Sequence, residues 1–137
     1  MREEKPIILC VDDEEIPLSL RKAVLEKLGY SVLTASSGVE ALTLLEKHRV
    51  DLVLTDMLMP GLSGAELARE IKQRMPRIPI ILFSGVNEIP EDAGYADFFL
   101  SKVEGPARMS AKISEVLSQS EGATNPAKNS EENRALG

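Results

Sequence analysis

Short apolar runs alternate along this chain with longer segments in which apolar residues recur every three or four positions. The runs read IILCV, SVLTA, DLVLT, IPIILFS and FFL, at residues 7–11, 31–35, 51–55, 78–84 and 98–100. Runs of this length, rich in β-branched residues and bounded by polar ones, are typical of strands buried on both faces of a parallel sheet. The pattern therefore predicts five buried strands.

The segments between these runs carry the starting signals of helices. A proline opens the first and the last, and a serine three residues before a glutamate forms a capping box in the second and the third. These signals are Pro17, Ser37 with Glu40, Ser63 with Glu66, and Pro106. Between Asn87 and Ala96, Pro90 and Gly94 leave room for one or two helical turns, so we expect a reduced fourth helix.

The regular alternation of strands and helices indicates a single α/β domain built on a parallel sheet. From about Ser118 the helical pattern ends, and the segment SQSEGATNPAKNSEENRALG holds almost no large apolar residues. We therefore expect a folded domain at residues 1–118 and a disordered polar tail at residues 119–137.

Composition narrows the class of protein. The 137 residues are 43% hydrophobic and 28% charged, which suits a compact soluble domain. A net charge of −6 makes direct binding to nucleic acid or to an anionic membrane a poor expectation. The first apolar run is too short for a signal peptide or a membrane span, and the lone cysteine, Cys10, is predicted to be a core residue. We expect a cytoplasmic protein.

Polar side chains collect where the predicted strands end. Asp12 and Asp13 follow the first strand, Asp56 the third and Lys102 the fifth, and Ser84 ends the fourth. In an open parallel sheet, ligands bind outside the carboxyl ends of the strands. If the first and third strands are neighbours, three carboxylates converge on one crevice that also holds a hydroxyl and an ammonium group.

Three carboxylates in one crevice need a counter-charge. A like-charged pair at about 4 Å costs roughly 4 kcal/mol at an effective dielectric near 20. The ligands are all hard oxygens, so Mg²⁺ is the natural cation, and it commonly completes its coordination with phosphate oxygens. A carboxylate beside Mg²⁺ and a lysine can itself accept a phosphoryl group as an acyl phosphate. The pattern predicts a site for phosphoryl transfer.

Four stretches of the chain, in order, resemble the signature segments of the receiver domain of two-component response regulators. They read IILCVDDEE, DLVLTDMLMPGLSG, IILFSG and ADFFLSK, and the resemblance covers about residues 5–117. It implies a flavodoxin-like, doubly wound five-stranded sheet in the order 2-1-3-4-5, which the chemotaxis receiver also has. It further implies a stand-alone receiver of the chemotaxis type.

The resemblance assigns a phosphoacceptor and a set of magnesium ligands. Asp56 would be the phosphoacceptor and a ligand of Mg²⁺, and Asp13 would bind the ion directly. Asp12 would help through water or a hydrogen bond, and the backbone carbonyl of Leu58 would be a further ligand. The implied partners are a histidine kinase or phosphotransfer protein, which supplies the phosphoryl group, and a downstream protein that the sequence does not identify. The implied role is a signalling switch with at most self-phosphorylation from a donor and slow autodephosphorylation, so it is not an enzyme in the usual sense.

The same resemblance assigns the residues that respond to phosphorylation. Ser84 and Lys102 would each contact a phosphoryl oxygen, and Phe99 would turn inward after phosphorylation. Phe99 lacks the hydroxyl of the tyrosine that many relatives carry, so its role would rest on packing. Val103 follows Lys102 where the family usually has proline. A cis bond before valine costs roughly 2.5–4 kcal/mol, so the turn is either rebuilt in trans or strained.

Three other functions compete with a phosphorylated receiver. A hydrolase of the haloacid-dehalogenase type would need a general acid at position 58, where this chain has Leu58. A flavin-binding domain would need a phosphate loop after the first strand, where the acidic residues 12–15 would repel phosphate. A degenerate receiver that serves only as a binding module stays open, because of Val103 and the short fourth region.

Overall fold

Five parallel strands form one sheet in the order β2-β1-β3-β4-β5, in a computed structural model that describes residues 5–84 and 94–123, with side chains described as far as residue 119. This confirms the strand order that the resemblance implied. The strands are β1 (Ile7–Val11), β2 (Ser31–Ala35), β3 (Leu52–Asp56), β4 (Ile80–Ser84) and β5 (Phe98–Ser101).

The described ranges contain four α-helices that connect and cover these strands. They are α1 (Glu15–Lys27), α2 (Gly38–Lys47), α3 (Gly64–Arg74) and α4 (Gly105–Ala123). None of these helices is long and apolar enough to cross a lipid bilayer. The reduced fourth helix was expected around residues 87–96, and most of that segment lies outside the described residues.

The last helix ends later than the sequence predicted. The boundary was placed at residue 118, but α4 continues to Ala123. A helix can extend beyond its last buried turn on backbone hydrogen bonds, so the loss of apolar residues after Leu117 does not mark its end. The remainder of the expected tail, residues 124–137, lies outside the described residues.

Each face of the sheet packs against a different pair of helices, which explains why the strands are apolar throughout. One cluster joins Ile8, Cys10, Leu54 and Phe83 of the sheet to residues of α1 and α4, such as Leu25 and Ile113. A second cluster joins strand residues of the opposite face to α2 and α3, among them Leu9, Val53, Leu45 and Leu67. Cys10 is fully buried, as predicted.

Serine side chains cap α2 and α3, in agreement with the sequence. At α3 the capping box is complete, since Ser63 and Glu66 each accept a hydrogen bond from the other's backbone N–H. At α2, Ser37 accepts from the backbone N–H of Glu40, but the Glu40 carboxylate accepts from the backbone N–H of Ser36. The reciprocal box predicted at α2 is therefore only half formed.

Candidate functional site

The register of the sheet brings two aspartates side by side. β1 and β3 are neighbouring parallel strands in which Val11 stands opposite Thr55, so the next positions along the two chains are Asp12 and Asp56. Alternate residues of a strand point to the same face, and both side chains continue the line that faces α1 and α4. Two aspartates that are 44 residues apart in the sequence therefore lie next to each other at one edge of the sheet.

Three carboxylates meet at this edge, as the sequence predicted. Oxygen atoms of Asp12, Asp13 and Asp56 all lie within 4.8 Å of one another. Asp12 and Asp56 are buried, whereas Asp13 is exposed to solvent. A set of hard oxygen donors that is open to water on one side fits Mg²⁺, because that ion retains several of its waters.

Lys102 supplies a positive charge to the same cluster. Its Nζ atom forms an ion pair with Oδ1 of Asp56. The peptide bond to Val103 is trans, and a 3₁₀ turn at Lys102–Glu104 carries the lysine. The Val103 backbone N–H donates to the Ser101 hydroxyl at 3.3 Å, a bond that proline could not make. The turn is therefore rebuilt in trans, and Lys102 still reaches Asp56.

A cavity of about 280 Å³ joins most of the predicted site residues. Asp13, Asp56 and Lys102 line it, and so do the nearly buried Ser84 at the end of β4 and Leu58 in the turn after β3. Glu14 adds another carboxylate to the wall. The loop after β1 is therefore acidic where it meets the cavity, which suits a cation and opposes the phosphate of a flavin.

The surroundings of Asp56 disfavour its charged form. Burial raises the pKa of the Asp56 carboxyl above its ordinary value of 3.8, and the nearby Asp12 carboxylate acts in the same direction. Lys102, by hydrogen bonding and charge, and Arg21, by charge, act in the opposite direction. A carboxylate in this position gains from any further cation, which again favours a metal ion beside it.

Arg21 belongs to the site, although it lies outside the sequence motifs that predicted the other members. Its Nη2 atom donates to Oδ2 of Asp12 at 3.2 Å, and both side chains are buried. A signal for it was present, because Arg21 lies three residues after Leu18 and four before Leu25 on the buried stripe of α1. A charged residue at such a position needs a partner inside the protein.

The two phenylalanines of β5 face opposite sides of the sheet, as the alternation predicted. Phe98 packs against the core cluster of α1 and α4. Phe99 is partly buried against Met57, Ala65 and Leu82 on the other face. Since Leu82 and Ser84 lie on the same face of β4, Phe99 is next to the strand end that carries the serine.

Comparison with known proteins agrees with this geometry. The family described as "Response regulator receiver domain" matches residues 8–114, which is most of the chain. Among curated proteins, the alkaline phosphatase synthesis transcriptional regulatory protein PhoP of Bacillus subtilis is 34% identical over 119 residues. That match covers 83% of this chain and 49% of PhoP, so the chain spans about half the length of that relative.

Solved structures of receiver domains have the same fold. A response regulator receiver domain protein from Clostridium thermocellum is 34% identical with a TM-score of 0.78, and the match covers 85% of this chain and 97% of that one. The response regulator TrrA of Thermotoga maritima, solved in complex with Mg(2+)-BeF, is 33% identical with a TM-score of 0.77, over 81% and 98% of the two chains. The chain therefore belongs to the response regulator receiver domain family, the signalling domains of two-component systems.

Proposed function

We propose that Asp56 accepts a phosphoryl group from a phosphohistidine of a partner histidine kinase or phosphotransfer protein, in a reaction that requires Mg²⁺. The observation that carries this proposal is the cluster of Asp12, Asp13 and Asp56 with Lys102 paired to Asp56. A nucleophilic carboxylate beside oxygen ligands for a divalent ion and a lysine is the arrangement that acyl phosphate formation needs.

In the proposed reaction a carboxylate oxygen of Asp56 forms a bond to phosphorus while the bond from phosphorus to the histidine nitrogen breaks. Lys102 balances negative charge on the phosphoryl oxygens and orients the carboxylate beforehand. Asp13, Asp12, Asp56 and the backbone carbonyl of Leu58 would hold Mg²⁺. Bound Mg²⁺ would neutralise the charge of the transferring group.

The solved structure of TrrA with Mg(2+)-BeF supports a divalent site of this kind in a related receiver. The donors present in this chain agree with it, since all three side chains are carboxylates and one faces solvent. Carboxylates and water suit Mg²⁺ better than the softer transition metals, which prefer imidazole or thiolate ligands.

We further propose that phosphorylation changes the surface formed by β5 and the start of α4, and that an unidentified downstream protein recognises the change. Ser84 would donate a hydrogen bond to a phosphoryl oxygen, and Phe99 would move into the space that the serine leaves. A modification can shift such an equilibrium only through contacts that differ between the two states, and the Ser84 bond is such a contact.

Intact mass spectrometry after incubation with acetyl phosphate and MgCl₂ tests this function. We expect the wild-type protein to gain one phosphoryl group, Asp56→Asn to gain none, and EDTA to abolish the gain. Asp51→Asn is a matched control, because Asp51 lies at the other end of the sheet, where it accepts a hydrogen bond from the Ile7 backbone N–H. A wild-type protein that gains no phosphoryl group would contradict the proposal and favour a binding module that works without phosphorylation.

A further inference from the structure

We propose that Arg21 is an internal counter-ion of the acidic site, which pairs with Asp12 in the metal-free protein and thereby weakens the binding of a divalent cation. The inference deepens the proposed function and rests on its premise that the three aspartates bind such a cation. It concerns the affinity of the site for the divalent ion and the interaction that stabilises the site when no ion is bound.

The contacts of Arg21 place its charge at the buried side of the cluster. The guanidinium bonds Asp12 at 3.2 Å, and its central carbon lies 4.8 Å from the centre of the Phe83 ring. Only 8% of the arginine side chain and 1% of the aspartate side chain are exposed. Charges that are shielded from water in this way are screened less than surface charges, so Arg21 acts on the cluster more strongly than a surface cation at the same distance would.

Each of the two cationic side chains pairs with one of the two buried aspartates. Lys102 pairs with Asp56 and Arg21 pairs with Asp12, while Asp13 is exposed to water. Three carboxylates with these two cations carry a net charge of −1, and without Arg21 they would carry −2. An arginine side chain keeps its proton at any ordinary pH, so its charge opposes a divalent cation under all such conditions.

The geometry of the pair points to a role beyond fold stability. Arg21 uses one terminal nitrogen for Asp12, and among the residues that the structure describes its buried Nη1 atom has no hydrogen-bond partner. A forked arginine–aspartate pair would satisfy both nitrogens. A buried ion pair with a donor left over contributes little net stability, because desolvation offsets most of the attraction.

Asp12 has a second anchor that does not depend on the arginine. Its Oδ1 atom accepts a hydrogen bond from the backbone N–H of Glu14 at 3.0 Å. The carboxylate therefore remains in place when the guanidinium is removed, and it then offers the divalent ion an oxygen that has no competing cation. The expected effect of losing Arg21 is tighter binding.

Calorimetric titration with MgCl₂, together with thermal unfolding in EDTA and in saturating MgCl₂, tests this role. We expect Arg21→Met to bind Mg²⁺ about fivefold to tenfold more tightly than wild type, as removal of one nearby positive charge implies. Removing the arginine leaves the Asp12 carboxylate buried without its partner, so the loss of thermal stability should be large in EDTA. The loss should be much smaller in MgCl₂, where the bound ion replaces the missing positive charge. Arg21→Lys, which retains the charge, should bind Mg²⁺ nearly as weakly as the wild type.

Lys112→Met is the matched control. Lys112 also lies over a phenylalanine ring, with Nζ 5.1 Å from the centre of Phe98, and it pairs with Glu115, which is not part of the acidic cluster. Its loss should leave the Mg²⁺ affinity unchanged. If Arg21→Met does not fold in EDTA, Arg21→Gln takes its place, because the amide can still donate to Asp12, and the same tightening is expected.

The outcomes separate this inference from the proposed function. A wild-type protein that binds no Mg²⁺ would contradict the proposed function and the inference with it. Normal binding by the wild type and equal or weaker binding by the neutral Arg21 variants would overturn the inference alone. A stability loss in Arg21→Met that is the same in EDTA and in MgCl₂ would also overturn it, since it would mean a purely structural arginine.

Discussion

Gly64, the first residue of α3, packs directly against the backbone carbonyl oxygen of Asp56, and no space for a β carbon remains between them. The α carbon of Met57 and a methyl group of Leu82 both lie 2.9 Å from the place such a carbon would take. The Gly64 backbone N–H also donates to the carbonyl of Met57 at 3.0 Å. The start of α3 is therefore tied to the strand end that carries the Asp56 carboxylate.

We predict that Gly64→Ala destabilises the protein by about 1–3 kcal/mol, because an added methyl group must displace backbone atoms. It should also slow phosphorylation of Asp56 by moving the end of β3. Urea denaturation and the rate of mass gain with acetyl phosphate measure the two effects. Gly94→Ala is the control, since none of the residues that the structure describes has an atom within 4 Å of its β-carbon position. Equal stability of the two variants would show that the predicted clash is relieved without strain.

Asp56→Asn should stabilise the metal-free protein near neutral pH. The folded-state pKa of Asp56 is raised above 3.8, chiefly by burial, so the folded protein holds this proton more readily than the unfolded chain. Stability is therefore lost as the pH rises through the raised pKa, and an uncharged residue avoids that loss.

Urea denaturation of Asp56→Asn and wild type in EDTA, over a range of pH, measures this effect. The advantage of the variant should shrink as the pH falls toward 3.8. Asp13→Asn should gain less at neutral pH, because Asp13 is exposed to water. An advantage of Asp56→Asn that does not depend on pH would contradict the assigned cause.

Cys10 should be nearly inert to alkylation in the folded protein. The residue is fully buried, and burial raises the pKa of its thiol from 9.0 to about 12. At pH 8 this lowers the reactive thiolate fraction about a thousandfold relative to an ordinary thiol, before access is considered. Iodoacetamide labelling followed by mass spectrometry measures the rate, with the urea-unfolded chain as reference. Labelling of the native protein at the unfolded rate would disprove the burial of this strand.

Leu58→Asn should shorten the lifetime of the phosphorylated state. Leu58 lines the cavity beside Asp56, and its side chain is 69% exposed, so it lies between that cavity and bulk water. We expect an amide at this position to admit and hold water near the acyl phosphate and to raise the hydrolysis rate severalfold.

Loss of the phosphoryl group from purified phosphoprotein, followed by intact mass over time, measures that lifetime. Leu28→Asn is the control, since Leu28 is an exposed leucine at the C-terminal end of α1. A hydrolysis rate for Leu58→Asn no faster than that of the wild type would count against the prediction that Leu58 shields the acyl phosphate from water.

The elements that depend on local pattern were predicted well from sequence. Continuous apolar runs identified all five strands, because a strand that is covered on both faces needs apolar side chains at every position. The bounds of β1 and β2 agree with the prediction, and those of the other three strands differ by one or two residues, as at β4, which begins at Ile80 and not at Ile78. Together with the strand order that the resemblance implied, the ends of these strands predicted that Asp12, Asp13 and Asp56 converge with Lys102.

By itself, the sequence determined which faces are buried and which residues stand at the carboxyl ends of the strands, because both follow from periodicity along one segment. Only the tertiary structure decided that Arg21 pairs with Asp12, that Glu40 turns to Ser36, and that the peptide after Lys102 is trans. Each of these features depends on which partner a polar group meets in the folded protein. Hydrophobic periodicity carries no information about that choice, since burial of a charge is decided by the group it meets.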